Sequence, residues 1–404
     1  MQHTEARYNV GGVLLPRPFR IRRLGHFGIN VLHLGEYVAF YKNLLGFRIS
    51  DVIDYASRPH LTQILVGVED TRGYFMYYGS DHHALVFFNQ EAVRRMRAAG
   101  NRPFDHKITI NQISWQCGSL AEIVESYRYF QEREVPIFRT GRDMPGSNWH
   151  VSVYDPDGHV VEVYYGIEQV GWDGKSKPLA MHYRRFNELP TLPQPSEEAE
   201  IQEAMEKGID LSSGHRDGEA WPARYEVDGV LLPRPFKITK IGPVKLFVND
   251  LDRSEAFYSE ILGFSKTEET YVRGRRCIFL RAGTEHHSIA LVPNELKETL
   301  LPSARTTFCS FGLEVANYRQ LKDAMKFLEE HSVPFIHLPS ELSPGLDYSA
   351  HVLDPEGHCL QLYYYMEQVG WDGKPRPPEL RRSVNEGEWP EVLEALSDTY
   401  VDQT

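Results

Sequence analysis

Residues Ala6–Val31 read ARYNVGGVLLPRPFRIRRLGHFGINV, and residues Ala223–Val248 read ARYEVDGVLLPRPFKITKIGPVKLFV. The two stretches are one text with conservative exchanges, so the chain contains an internal repeat, and the repeat decides the fold. A second pair closes each copy: YYGIEQVGWDGKSKP from Tyr164 and YYYMEQVGWDGKPRP from Tyr363. The expected organisation is therefore a domain over 1–185, a linker over 186–221, a second domain over 222–385 and a tail over 386–404. The linker is polar and rich in Pro and Glu, with a short surface helix expected over Glu197 to Lys207.

Each half divides again. The first quarter opens with a short alternating run, His26 to Val31. A helical pattern follows from Tyr37 to Leu45, with Gly46 in place to stop it. Apolar runs at Gln63 to Val68, Tyr74 to Tyr78 and Ala84 to Phe88 read as strands. The second quarter repeats the order: a strand over Ile108 to Cys117, a helix over Leu120 to Arg133, and a hairpin from His150 to Tyr165. That hairpin turns at Asp155-Pro156-Asp157-Gly158, and its counterpart in the second half turns at Asp354-Pro355-Glu356-Gly357. The expected fold class is α+β, with four βαβββ modules.

Composition narrows the function. The 404 residues carry 44 Lys and Arg against 56 Asp and Glu, a formal net charge of −12. That balance speaks against a nucleic-acid groove, which needs a basic face for the phosphates, and against docking on an anionic membrane. No apolar run reaches the ~20 residues of a bilayer span, and Met1 to Glu5 has no signal-peptide character, so a cytoplasmic location is expected. Four scattered cysteines (Cys117, Cys277, Cys309, Cys359) form no Cys-x-x-Cys pair, and reduced thiols are the simple expectation.

The pattern Phe40-Tyr41…Leu45-Gly46-Phe47, repeated as Phe257-Tyr258…Leu262-Gly263-Phe264, resembles the vicinal oxygen chelate superfamily of glyoxalases, bleomycin-resistance proteins and type I extradiol dioxygenases. The Asp-Pro-x-Gly hairpin followed by an acidic residue, and the His-His pair before the last strand of an odd module, point the same way. The resemblance implies that modules pair into two cup-shaped mixed-sheet domains, each cup with room for a metal at its base. Transferred by position, it implies His26, Gln112 and Glu162 as metal ligands in the N-terminal domain. Pro243, Ser310 and Gln361 stand at the same places in the second half and supply no charge. One divalent metal per chain is expected, in the N-terminal cup: Fe(II), with Mn(II) or another divalent ion as the alternatives.

Each residue also has a plainer reading. Glu162 lies in the apolar strand Val160 to Tyr165, where a carboxylate is costly unless paired or metal-bound. His26 is either a ligand or a satisfied, half-buried histidine. Gln112 either binds the metal or lines a wet cavity with Ser114 and Gln116. His83 matches the family's acid–base histidine, yet its counterpart His287 sits in the half without ligands, which also fits a structural role at the strand edge. Ser152 replaces the family's hairpin tyrosine, and His150, on the same strand face, is the candidate substitute donor. The repeated Glu-Gln-Val-Gly-Trp-Asp-Gly loops are expected to pack, with Trp172 and Trp371 covering the cups' edges.

The resemblance implies a metal-dependent, ring-cleaving dioxygenase acting on a catechol-like substrate with dioxygen. Gln112 in place of a histidine keeps a second reading open, a non-redox lyase, isomerase or hydrolase acting on an oxygen-rich substrate. A metal-free small-molecule binding protein is the third. Edge strands of this fold leave room for a homo-oligomer.

Overall fold

The computed structural model describes residues 7–393 apart from 101, 103–104, 106, 143–144, 182–187, 304, 383 and 385–388. The expected tail, 386–404, falls largely outside them. The chain separates into two compact units, residues 1–34 with 47–219 and residues 35–46 with 220–404.

The first unit is built on one eight-stranded mixed sheet. Its strands are β1 (Ile21–Val31), β2 (Arg48–Asp54), β3 (Arg72–Tyr77), β4 (Leu85–Asn89), β5 (Ile110–Cys117), β6 (Ile137–Arg142), β7 (Trp149–Tyr154) and β8 (Val160–Tyr165). Their order is β2-β3-β4-β1-β5-β8-β7-β6. In each module the fourth strand lies parallel beside the first, β4 on β1 and β8 on β5, while β1 and β5 run antiparallel at the centre. This is the four-module, paired-sheet α+β architecture expected from the repeat.

The second unit repeats the sheet with β9 (Ile238–Val248), β10 (Ser265–Val272), β11 (Arg275–Arg281), β12 (Ile289–Pro293), β13 (Phe308–Val315), β14 (Phe335–Ile336), β15 (Ser349–Leu353) and β16 (Cys359–Tyr363). The order is again outer module halves flanking a central pair, β10-β11-β12-β9-β13-β16-β15-β14. The helical segment Leu34–Ala39 with its π turn Phe40–Leu44 belongs mostly to this unit, where Tyr37 Oη donates to Asp354 Oδ2 at 2.5 Å.

Two helices carry the clearest local codes. Helix α1 spans Leu120–Glu132, and α2 spans Tyr318–Glu330. Ser119 caps α1 by accepting from Glu122 N at 3.3 Å, and the Glu122 carboxylate accepts from Ser119 Oγ at 3.1 Å and from Arg20 N at 2.8 Å. This capping box ties the helix to the start of β1. In the second unit Asn317 and Gln320 do the same work, with Gln320 Oε1 accepting from Lys237 N at 3.0 Å.

One expected strand is absent. Gln63 to Val68 is a turn that follows the short helix Pro59–Thr62. Leu61 and Leu65, four residues apart, point into a small cluster with Ala92, so the apolar period there is helical rather than alternating. The strand the sheet does contain is β2, which hides in the sequence because its buried positions include Ser50 and Asp51. Trp172 and Trp371 do not cover the cups: they are 100% and 91% exposed. Those loops hold their neighbours through the backbone instead. His82 N donates to Glu168 O at 2.8 Å, Glu168 N to Gly146 O at 2.8 Å and Val170 N to Ser80 O at 2.7 Å. The four cysteines are buried and unpaired.

Candidate metal centre

Sheet register assembles the centre. His26 on β1 faces Ser114 on β5, Ser114 faces Glu162 on β8, and Glu162 faces Ser152 on β7. Directly opposed residues share a face, so four strands present His26, Ser114, Glu162 and Ser152 in one row. Gln112 is two residues from Ser114, and His150 two from Ser152, so both lie on that same face. Glycines let the row close up. A Cβ on Gly25 would fall 1.7 Å from Tyr164 Oη, and one on Gly28 would fall 2.8 Å from Val86 Cγ2.

Glu162 is fully buried. Its Oε1 lies 3.2 Å from His26 Nε2 and accepts from Asn148 Nδ2 at 3.2 Å, while Oε2 accepts from Ser152 Oγ at 3.2 Å. Burial pushes its carboxyl up, but the positive potential of His150, contact with His26 and the more distant Arg139 outweigh that and hold it below the usual carboxylate range. Both His26 ring nitrogens are buried without a hydrogen bond; the Glu162 contact has the distance but not the angle. Two bonds of about 2.1 Å meeting at about 90–110° would set their donor atoms about 3.0–3.4 Å apart. The 3.2 Å between His26 Nε2 and Glu162 Oε1 is that separation, and the two orphan imidazole nitrogens ask for a partner. The pair therefore fits a shared cation. Among the described residues no three His, Cys, Asp or Glu side chains are arranged to hold a metal, so any remaining ligands would be neutral amide, hydroxyl or water oxygens, or would need side-chain movement.

His83 completes one side. Its ring centroid is 4.4 Å from that of His26. Burial, with His26 and His82 beside it, drives its pKa well below the ordinary value, so it is neutral. His82 Nε2 is 2.8 Å from Asp51 Oδ2, and His82 Nδ1 is 3.1 Å from His83 Nδ1. An ionised carboxylate only accepts, so His82 carries a proton on Nε2. The two Nδ1 atoms then share one proton, which leaves His83 Nε2 as the nitrogen open for chemistry. Gly146 (φ +98°) brings the opposing backbone so close that a Cβ would sit 2.8 Å from His83 Cε1.

A cavity of about 400 Å³ borders the row. His83, Gln112 and Asn148 line it, together with Tyr55, Phe75, Phe88, Met96 and Phe138. The structure thus brings together His26, Glu162, His83, Gln112 and His150, all expected from the sequence. Sequence reasoning missed Asn148, the Asp51–His82 pair and one residue of the other half.

That residue is Lys245. It stands where the repeat has Gly28, is fully buried, and donates to Gln361 Oε1 at 2.6 Å and Ser343 Oγ at 3.2 Å. Gln361 is the counterpart of Glu162. An ammonium therefore occupies the cup of the second unit, against the residue that replaces the carboxylate. Burial pushes the Lys245 amine down to about 8. The signal was in the sequence: a lone lysine inside Ile241 to Val248, an otherwise apolar strand.

Paired βαβββ modules in two eight-stranded mixed sheets, with a buried His–Glu couple on the two strands that flank β5, define the class of fold. The family model of the Glyoxalase/Bleomycin resistance protein/Dioxygenase superfamily matches residues 23–163 and 240–362. The chain belongs to that superfamily. Over 150 residues it is 25% identical to the 3-methylcatechol 2,3-dioxygenase of Pseudomonas putida, a match covering 36% of this chain and 43% of that protein. The alignment thus spans less than half of the curated relative. Among solved structures, the Mn(II)-bound glyoxalase from Novosphingobium aromaticivorans is 13% identical with a TM-score of 0.53, covering 91% of this chain and 97% of that one. The 2,3-dioxygenase LapB from Pseudomonas sp. KL28 is 16% identical with a TM-score of 0.54, covering 88% and 96%. These likenesses establish the shared fold. No helix among the described residues is long and apolar enough to cross a membrane.

Proposed function

We propose that the protein is a ring-cleaving dioxygenase for catechol-type substrates, with its metal held by His26 and Glu162 in the N-terminal unit. The observation that carries this reading is the buried His26–Glu162 couple at 3.2 Å, with orphan imidazole nitrogens, beside an aromatic-lined cavity of about 400 Å³. The curated relative and several solved neighbours are named as catechol dioxygenases, which supports the reaction class. Bound there, a divalent ion such as Fe(II) or Mn(II) would supply the Lewis-acid and one-electron chemistry that ring opening by dioxygen requires.

The chain's own residues have separable tasks. Glu162 supplies the negative charge, and Ser152 and Asn148 fix its orientation. His83 accepts a proton from a substrate hydroxyl at Nε2, with Asp51 and His82 holding its tautomer. Gln112 offers an amide to the bound diol or to the cation, and His150, on the same sheet face as Ser152, is a further donor beside Glu162. Phe75, Phe88 and Phe138 exclude water and bind the ring face. Oxygen uptake with a catechol panel, on protein loaded with iron under anaerobic conditions, tests the proposal. Stoichiometric uptake with a yellow ring-opened product is expected; no uptake by iron-containing protein would overturn it.

Gln112 in the cavity wall and the modest charge of the ligand set favour one alternative, a non-redox reaction in which the cation polarises an oxygen-rich substrate. Activity that persists with Zn(II) or Co(II) in the absence of oxygen would select it. Metal analysis of the purified protein separates both from a metal-free binding protein.

A further inference from the structure

The cavity beside His83 is lined by four arginines, Arg58, Arg97, Arg102 and Arg139, and by no Asp or Glu among the described residues. In a chain with twelve more acidic than basic residues, that concentration of one sign is a local reversal. Three of the guanidiniums gather around one aromatic ring. Arg97, Arg102 and Arg139 lie 4.9, 5.0 and 5.8 Å from the centroid of Phe138. The fourth, Arg58, lies 4.7 Å over Tyr55 on the same wall set. Like charges held this close repel. Burial together with the neighbouring Arg139 and Arg102 pushes the Arg97 guanidinium down to about 10.

Enclosing a neutral catechol would not call for four cations in the wall of one cavity. The planar guanidinium fork matches a carboxylate, and the aromatic partners hold the forks flat. Gln112, Asn148 and His83 line this same cavity with the arginines and Phe138, and Asn148 bonds to Glu162 while His83 is in ring contact with His26.

We propose that the substrate is anionic: an aromatic ring whose oxygens face His26 and Glu162 and whose carboxylate is held by Arg102, with Arg97 and Arg58 beside it. The inference rests on the dioxygenase reading for the orientation of the ring, but the arginine site itself does not need turnover. An acid of this class binds through two ends, the vicinal oxygens at the His–Glu couple and the carboxylate at the arginines. Neutral catechols lack the second end and bind more weakly.

Equilibrium binding by titration calorimetry, on the full-length protein as purified and at low salt, tests this with three probes: 3,4-dihydroxybenzoate, its near-isosteric amide 3,4-dihydroxybenzamide, and catechol. The acid is expected to bind about tenfold to hundredfold more tightly than the amide, because one charge-assisted pair is at stake. The advantage should shrink as salt is raised. Arg102→Gln and Arg58→Gln, both at half-buried positions, should retain the fold and reduce the preference, with amide affinity nearly unchanged. Equal binding of acid and amide, or an undiminished preference in both variants, would overturn the proposal. Preference for the acid without ring cleavage by the iron-loaded protein would sink the dioxygenase reading and leave this one standing; cleavage of all three probes with equal KM would do the reverse.

Discussion

Glu162 shows how much one side chain decides. Its carboxylate is buried in an apolar strand, and the neutral Ser152 and Asn148 supply its two hydrogen bonds. Glu162→Gln keeps the volume and most of the packing, so it should remove stoichiometric metal and activity while circular dichroism stays unchanged. Full metal occupancy in that variant would show that the couple is not the metal site. Gly146 is the other decisive position. Its φ of +98° and a Cβ contact of 2.8 Å to His83 exclude any side chain. Gly146→Ala is expected to cost about 1–3 kcal/mol in urea unfolding and to displace His83. Glu162 stands out in the sequence because it breaks an apolar strand, whereas His26 is singled out by its place in the module that the resemblance implies. Asn148 could not, since its partner lies across a hairpin whose register only the folded sheet sets.

At the scale of elements, the caps and turns were legible and the outer strands were not. The Ser119–Glu122 box places the start of α1 from four residues of text. Ser119→Ala should destabilise the N-terminal unit by about 1 kcal/mol, seen as a lower urea midpoint with unchanged slope. An unaltered midpoint would mean that Glu122 and Arg20 hold the helix end alone. The Asp155 turn was equally readable, with Asp155 Oδ1 accepting from His159 N at 2.8 Å. The β2 strand was not, because Asp51 is buried only by virtue of His82, a partner distant in sequence. The repeated Glu-Gln loops are legible as structural, but not through their tryptophans, which are in solvent: the loop backbone clamps the His82–His83 segment.

For the whole molecule, duplication gave the architecture at once, since two copies of a text must make two copies of a sheet. It also exposed the difference between the copies. Lys245 is surrounded by Gln361, Ser343, His287, His351 and the thiols of Cys277, Cys309 and Cys359. Its folded value of about 8 lies below the ordinary 10.5, so over that window the unfolded chain holds a proton the folded one has released. Stability from this group therefore rises with pH from about 8 to about 10.5, and below 8 a penalty of about 3 kcal/mol is present in full. The three thiols, pushed up by burial, act in the opposite direction at the alkaline end. The stability difference between wild type and Lys245→Met isolates the lysine, and should move in favour of wild type between pH 8 and 10. Parallel pH curves for the two proteins would refute this.

The lysine has a consequence for how the molecule matures in a cell. A cation carried on a side chain arrives with translation, so the second unit is finished as soon as its chain is made. If the first unit holds the proposed ion, it must acquire that ion after synthesis and can lose it again. Under metal starvation the protein would persist half-completed, with amide exchange accelerating around His26 and Glu162 while the strands about Lys245 stay protected.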